Sequence, residues 1–202
     1  MQPRLIVQQK ITAMVNKYRI FTPAPEGGSG ELVALAQQKR LALKEKVLFY
    51  TDEKRDKLSF TFRAEKTFDV HGRYFVEDAN GKLIGMFKKD FAESLVNSTW
   101  KILDADGGEL FVIRESNQVL AVARRFLGWI PIIGEIAEMA LAFFKYHFDI
   151  SQTSTGEIVG RYRKTTTFRD HYMLEASDDL WNTTDWRVLA AIAVALDALQ
   201  SR

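Results

Sequence analysis

The chain of 202 residues has no cysteine, four prolines and three histidines. Without cysteine there is no disulfide, no thiolate nucleophile and no cysteine-ligated zinc, and the composition suits a reducing compartment. His71, His147 and His171 lie far apart without HExxH or other metal-ligand spacing, so they read as ordinary surface or strand residues. No GxSxG elbow, no glycine-rich phosphate loop ahead of a helix and no zinc-deaminase pattern occurs. No nucleophile–base arrangement can be named, and the chain reads as non-enzymatic, with no catalytic residue, cofactor or metal. The formal charge is only +2, too small an excess to indicate nucleic acid as a partner. Long apolar runs are lacking too. The most apolar stretch, 126–148, is broken by Pro131, Gly128, Gly134, Glu135, Glu138 and Lys145, which is poor material for a membrane span. The opening MQPRLIVQQKITAM has no signal-peptide core or cleavage site, and the expected location is the cytoplasm.

What is present is a globular composition, 47% apolar and 27% charged, sufficient for one domain over 1–202. The stretch VEDANGKLIG, from Val76, is answered by LDADGGELF, from Leu103. Both read as hairpins. Asn80-Gly81 predicts a two-residue turn because both positions accept positive φ, and Asp106-Gly107 marks the second turn. Asp78 and Asp104 are expected to accept backbone N–H groups at the turn entrances. Asp104-Ala105-Asp106-Gly107 superficially resembles a calcium loop. It lacks the later oxygen ligands and the twelfth-position glutamate, so the turn reading is preferred. A third hairpin is expected at FDISQTSTGEIVGRY, turning before Gly156.

Further strands are predicted at 5–9, 18–21, 32–38, 47–51, 58–64, 144–150, 157–164 and 168–175, with Gly27-Gly28-Ser29-Gly30 as a flexible connection. Two segments break the β pattern. Residues 116–127 have helical spacing through Val119, Val122 and Phe126, and a second short helix is expected at 135–142. From Asp185 the chain reads DWRVLAAIAVALDALQSR, apolar on every face and too short to span a bilayer, which predicts a helix buried in protein. About twelve closely spaced strands then suggest a closed antiparallel barrel or a sandwich.

RYFVEDANGKLIGMFKKDF, then STWKILDADGGELFVIRES, then DWRVLAAIAVALD, in that order, resemble the LURP-one-related branch of the tubby C-terminal-like fold, which is also similar to phospholipid scramblases. The resemblance runs from about Leu5 to Leu199. It implies a mainly β architecture: a closed antiparallel barrel of about twelve strands around a central C-terminal helix, with a helical insert. A lumen filled by 188–199 would leave no room for a lipocalin-like ligand.

The partial functional signal is basic. Lys88-Lys89 ends the first hairpin, and Arg124-Arg125 precedes the apolar run that holds Trp129. A cationic pair beside tryptophan suits a peripheral contact with anionic phospholipid, so Arg124, Arg125, Trp129, Lys88 and Lys89 are the candidate lipid-binding residues. The bland reading of the same segment is a solvated helix face followed by core-filling residues. The expected function is a non-enzymatic binding domain on anionic phospholipid or phosphoinositide headgroups, peripheral at the membrane. The alternative is a protein-interaction or structural module that docks a protein partner.

Overall fold

The computed structural model describes residues 1–11, 15–39, 46–65, 72–90, 98–116, 147–165 and 171–200. Twelve strands, β1 (Gln2–Ile11), β2 (Val15–Pro23), β3 (Ser29–Lys39), β4 (Lys46–Tyr50), β5 (Leu58–Ala64), β6 (Arg73–Asp78), β7 (Leu83–Lys89), β8 (Thr99–Leu103), β9 (Glu109–Glu115), β10 (His147–Gln152), β11 (Ile158–Lys164) and β12 (His171–Ala176), precede α1 (Asp178–Thr183) and α2 (Trp186–Gln200). Each strand pairs antiparallel with its neighbours in the chain, and β1 pairs with β12, Leu5 facing Leu174 and Gln8 facing His171. The sheet is a closed barrel, and closure removes the free edges at which strands of other chains would add.

Alternation sorts each strand into a lumen face and an outer face. In β4 the side chains of Val47 and Phe49 are buried and their neighbours are not; β10 does the same with Phe148 and Ile150, and β12 with Tyr172, Leu174 and Ala176. Aromatic rings from five adjacent strands meet inside. Phe49 stacks on Phe60 at 4.1 Å between centroids, Tyr74 stacks on Phe87 at 5.0 Å, and Trp100 continues the row 6.1 Å from Phe87. Such pairs add about 0.5–1.5 kcal/mol each beyond the area they bury.

The repeated Asp-Ala-x-Gly stretches build the same turn. Asp78 N–H donates to Lys82 O at 2.9 Å and Gly81 N–H to Asp78 O at 3.0 Å; Asp104 repeats this with Gly108 and Gly107. Asp78 Oδ1 accepts from the N–H groups of Asn80 and Lys82, both at 2.9 Å, and Asp104 Oδ1 accepts from Asp106 at 2.9 Å and Gly108 at 2.8 Å. Only the glycine of each turn takes positive φ, +83° at Gly81 and +93° at Gly107. Gly81 takes positive φ as its place in the turn requires, while the two-residue turn expected at Asn80-Gly81 is corrected in width. The chain makes a wider turn ending in a left-handed glycine, because the aspartate carboxylate gathers two N–H groups that a tighter turn would not present. The third hairpin is present, with Gln152 N–H donating to Glu157 O at 2.9 Å and Gly156 at φ +73°. The glycine cluster is corrected too: Ala24 and Gly28 close a turn, and Ser29 and Gly30 already belong to β3.

Helix α1 has no apolar period long enough to be read from the sequence. It is set by its cap: Ser177 Oγ accepts from Leu180 N–H at 3.2 Å, and Asp178 and Asp179 occupy the first turn, where carboxylates suit the helix dipole. Helix α2 is buried over 188–196 on every side, as a uniformly apolar helix must be. Val188, Leu189, Ile192, Val194 and Leu196 each contribute about 1.5–3 kcal/mol by leaving water. The helices predicted within 116–127 and 135–142, and the strand beginnings predicted at 144–146 and 168–170, lie outside the described residues.

Candidate functional site

The lumen is occupied by protein. A Cβ on Gly85 would sit 2.8 Å from Val188 Cγ2, so the glycine lets α2 approach β7. Gly160 does the same for α1, where a Cβ would lie 2.6 Å from Leu180 Cδ2. Trp186 meets Phe60 edge-on at 5.7 Å. Near the far end of α2, Asp197 accepts from the hydroxyls of Tyr18 at 2.9 Å and Tyr172 at 2.6 Å, and Tyr162 donates to Ala193 O at 3.3 Å. Burial first, then the Asp197 charge, holds the Tyr18 phenol well above its ordinary pKa, so it remains a donor. Among the described residues the lumen is filled by α2 and the inward side chains of the strands.

The two ends of the barrel differ. Up-and-down topology brings the tight turns 24–28, 51–57, 78–82, 104–108, 153–157 and 177–185 to one end. These carry eleven Asp or Glu against four Lys or Arg, so that end is acidic. At the opposite end, ten of the twelve strands carry a Lys or Arg within their three terminal residues, and the other two, β10 and β12, begin there with His147 and His171. Among the described residues the carboxylates at this basic rim are engaged. Glu65 meets Arg73 at 3.5 Å, Asp90 meets Lys101 at 3.2 Å, Asp197 holds its tyrosines, and Glu115 is buried. A small net charge has been sorted along an axis.

Lys88 and Lys89 sit at this rim on opposite faces of the sheet. Lys88 points outward and pairs with Glu109 at 2.7 Å, and Glu109 also meets Lys101 at 3.1 Å. The Lys88 hydrogen bond, against burial and with help from Lys101, holds the Glu109 carboxyl below its ordinary pKa. Burial opposes the charge on Lys101, but Glu109 and Asp90 outweigh it and raise its pKa. Lys89 turns to the lumen side, its Nζ 5.8 Å from the centre of the Trp100 ring. Arg124, Arg125 and Trp129 lie outside the described residues, in the segment that leaves after β9 and returns at β10 on this same rim. Among the described residues no group of His, Asp and Glu has metal-binding geometry, and no helix is long and apolar enough to cross a membrane.

Among the rim lysines that the sequence reading does not single out are Lys10, Lys17 and Lys46. Lys10 faces Lys17 across β1 and β2, and Lys46 faces Arg63 across β4 and β5. The available signal was a lysine beside each strand boundary, which has meaning only once strand directions are known.

A comparison with curated proteins finds no match. The model of the LURP-one-related family matches residues 33–197, from β3 through most of α2, and with that span covered the chain belongs to the LURP-one-related family.

Proposed function

We propose that this protein is a non-enzymatic binding domain that associates peripherally with anionic phospholipid headgroups, phosphoinositides among them, at the cytoplasmic face of a membrane. The observation that carries the reading is the segregation of charge along the barrel axis, with basic strand ends gathered at one rim and acidic turns at the other. Such a molecule has a dipolar field that orients it before contact and favours one end toward a negative surface. The filled lumen supports surface rather than cavity binding. A twelve-stranded barrel around a terminal helix is also what the resemblance to the tubby C-terminal-like fold and to phospholipid scramblases implies. Arg124, Arg125 and Trp129 enter the proposal as sequence candidates: two cations followed by a ring suited to the headgroup level.

Sedimentation with vesicles tests the reading. Binding to phosphatidylserine vesicles and none to phosphatidylcholine is expected, weakening as salt shortens the Debye length from about 10 Å at 0.1 M. Arg124→Glu with Arg125→Glu should reduce sedimentation. A protein that ignores every anionic vesicle at low salt sinks the lipid reading and leaves the protein-interaction module in its place.

A further inference from the structure

The rim places cations directly opposite one another across paired strands at three positions. Lys10 faces Lys17, Lys46 faces Arg63, and Arg73, Lys88 and Lys101 form a row across β6, β7 and β8. Like charges directly opposite destabilise a sheet. The row of three is relieved by Glu65, Asp90 and Glu109, and Arg63 by Glu77 at 2.8 Å. Among the described residues Lys10, Lys17 and Lys46 have no carboxylate partner, and Lys10 and Lys46 are exposed. The row of three is therefore already neutralised, whereas the uncompensated lysines stand on β1, β2 and β4, Lys10 and Lys17 side by side and Lys46 apart from them beyond β3.

From this distribution we infer that the barrel docks end-on, its basic rim against the bilayer and its acidic turns away, and that it reads surface charge density rather than one headgroup. The inference rests on the lipid reading above and specifies its geometry. A twelve-stranded barrel is roughly 20–25 Å across at the backbone, from strands about 4.8 Å apart tilted by about 40°. Cations spread around a rim of that width can act together only on an extended, nearly flat array of anions. A single headgroup would engage one or two of them. The stretches of sequence that join these strand ends, 12–14, 40–45, 66–71, 91–97, 117–146 and 166–170, lie outside the described residues and carry seven Lys or Arg against six Asp or Glu. The eleven carboxylates of the opposite end would be repelled by the same surface, which fixes the polarity of docking.

The test uses vesicles matched in surface charge, one set containing phosphatidylserine and one phosphatidylinositol 4,5-bisphosphate, with phosphatidylcholine as the neutral reference. Equal partitioning to both anionic sets is expected. Lys10→Glu/Lys17→Glu/Lys46→Glu should weaken both by at least about tenfold, since each lost or reversed cation removes attraction to the surface. Lys54→Glu/Lys57→Glu/Lys82→Glu, at the turn end, should leave partitioning unchanged. A milder Lys10→Gln/Lys17→Gln/Lys46→Gln variant, with its melting curve, guards against loss of fold. If the turn-end variant loses binding and the rim variants keep it, the docking polarity is overturned. If phosphatidylinositol 4,5-bisphosphate is strongly preferred at equal charge, a headgroup-specific site replaces charge-density reading. If wild-type protein binds neither set at low salt, the lipid reading itself fails and this inference falls with it.

Discussion

Gly81 isolates the conformational part of a turn from its packing part. A Cβ there would meet nothing within 4 Å, yet its φ of +83° is one that L-residues adopt at a cost. Gly81→Val should therefore lower stability by about 1 kcal/mol or more, and Gly81→Asn by clearly less, because asparagine tolerates the left-handed region. Denaturant midpoints of the two variants check this, and equal losses would point to sterics instead. Glu109 gives a pH prediction. Its folded pKa is depressed, chiefly by Lys88, so its contribution to stability is present above the unfolded carboxyl value and is lost as pH falls through the folded one. Wild type should exceed Glu109→Gln in melting temperature at neutral pH, and the gap should narrow as the pH is taken progressively below the ordinary carboxyl range. A gap that does not narrow at all on acidification would show that the carboxylate charge is not what stabilises the site.

Single elements carry the next consequence. Helix α2 exposes no side to water over 188–196, so a charge anywhere on that stretch is trapped. Ala191→Asp should prevent folding, since an unpaired buried carboxylate costs several kcal/mol against a total stability of about 5–15. Circular dichroism and recovery in the soluble fraction measure the outcome, and a soluble variant with unchanged melting would refute the buried helix. This element and the hairpins were legible in the sequence because their signals are local: nine apolar or small residues in succession, or alternation ending in Asp-Ala-x-Gly. Helix α1 was not, because its cause is the Ser177 cap and a glycine on β11 that receives Leu180. The Asp78 carboxylate was legible as an acceptor at the turn entrance, but not that it reaches both the Asn80 and the Lys82 N–H groups and so widens the turn. Of the candidate site, Lys88 and Lys89 were visible as an adjacent pair. The rim was not, since antiparallel strands bring the C-terminal end of β1 and the N-terminal ends of β2 and β4 together. Its cations are scattered in the chain and meet only in the barrel.

At the scale of the whole molecule, every pairing but one joins strands consecutive in the chain, and the exception, β1 with β12, closes the wall. The aromatic lining of Phe49, Phe60, Phe87 and Trp100 has α2 as its filling. A chain ending at Asp185 should therefore keep its strands but lack its centre, and we expect it in the insoluble fraction or binding a hydrophobic dye. Recovery of a soluble truncated barrel with cooperative melting would contradict that view. The filling comes after all twelve strands in the order of synthesis. At about 5–20 residues per second, β1 leaves the ribosome some 10–40 s before α2 exists. Through that interval the lining has nothing to enclose and β1 has no second neighbour. Any sheet those strands form before α2 emerges has its apolar face and both edges bare, the arrangement to which strands of other chains add most readily.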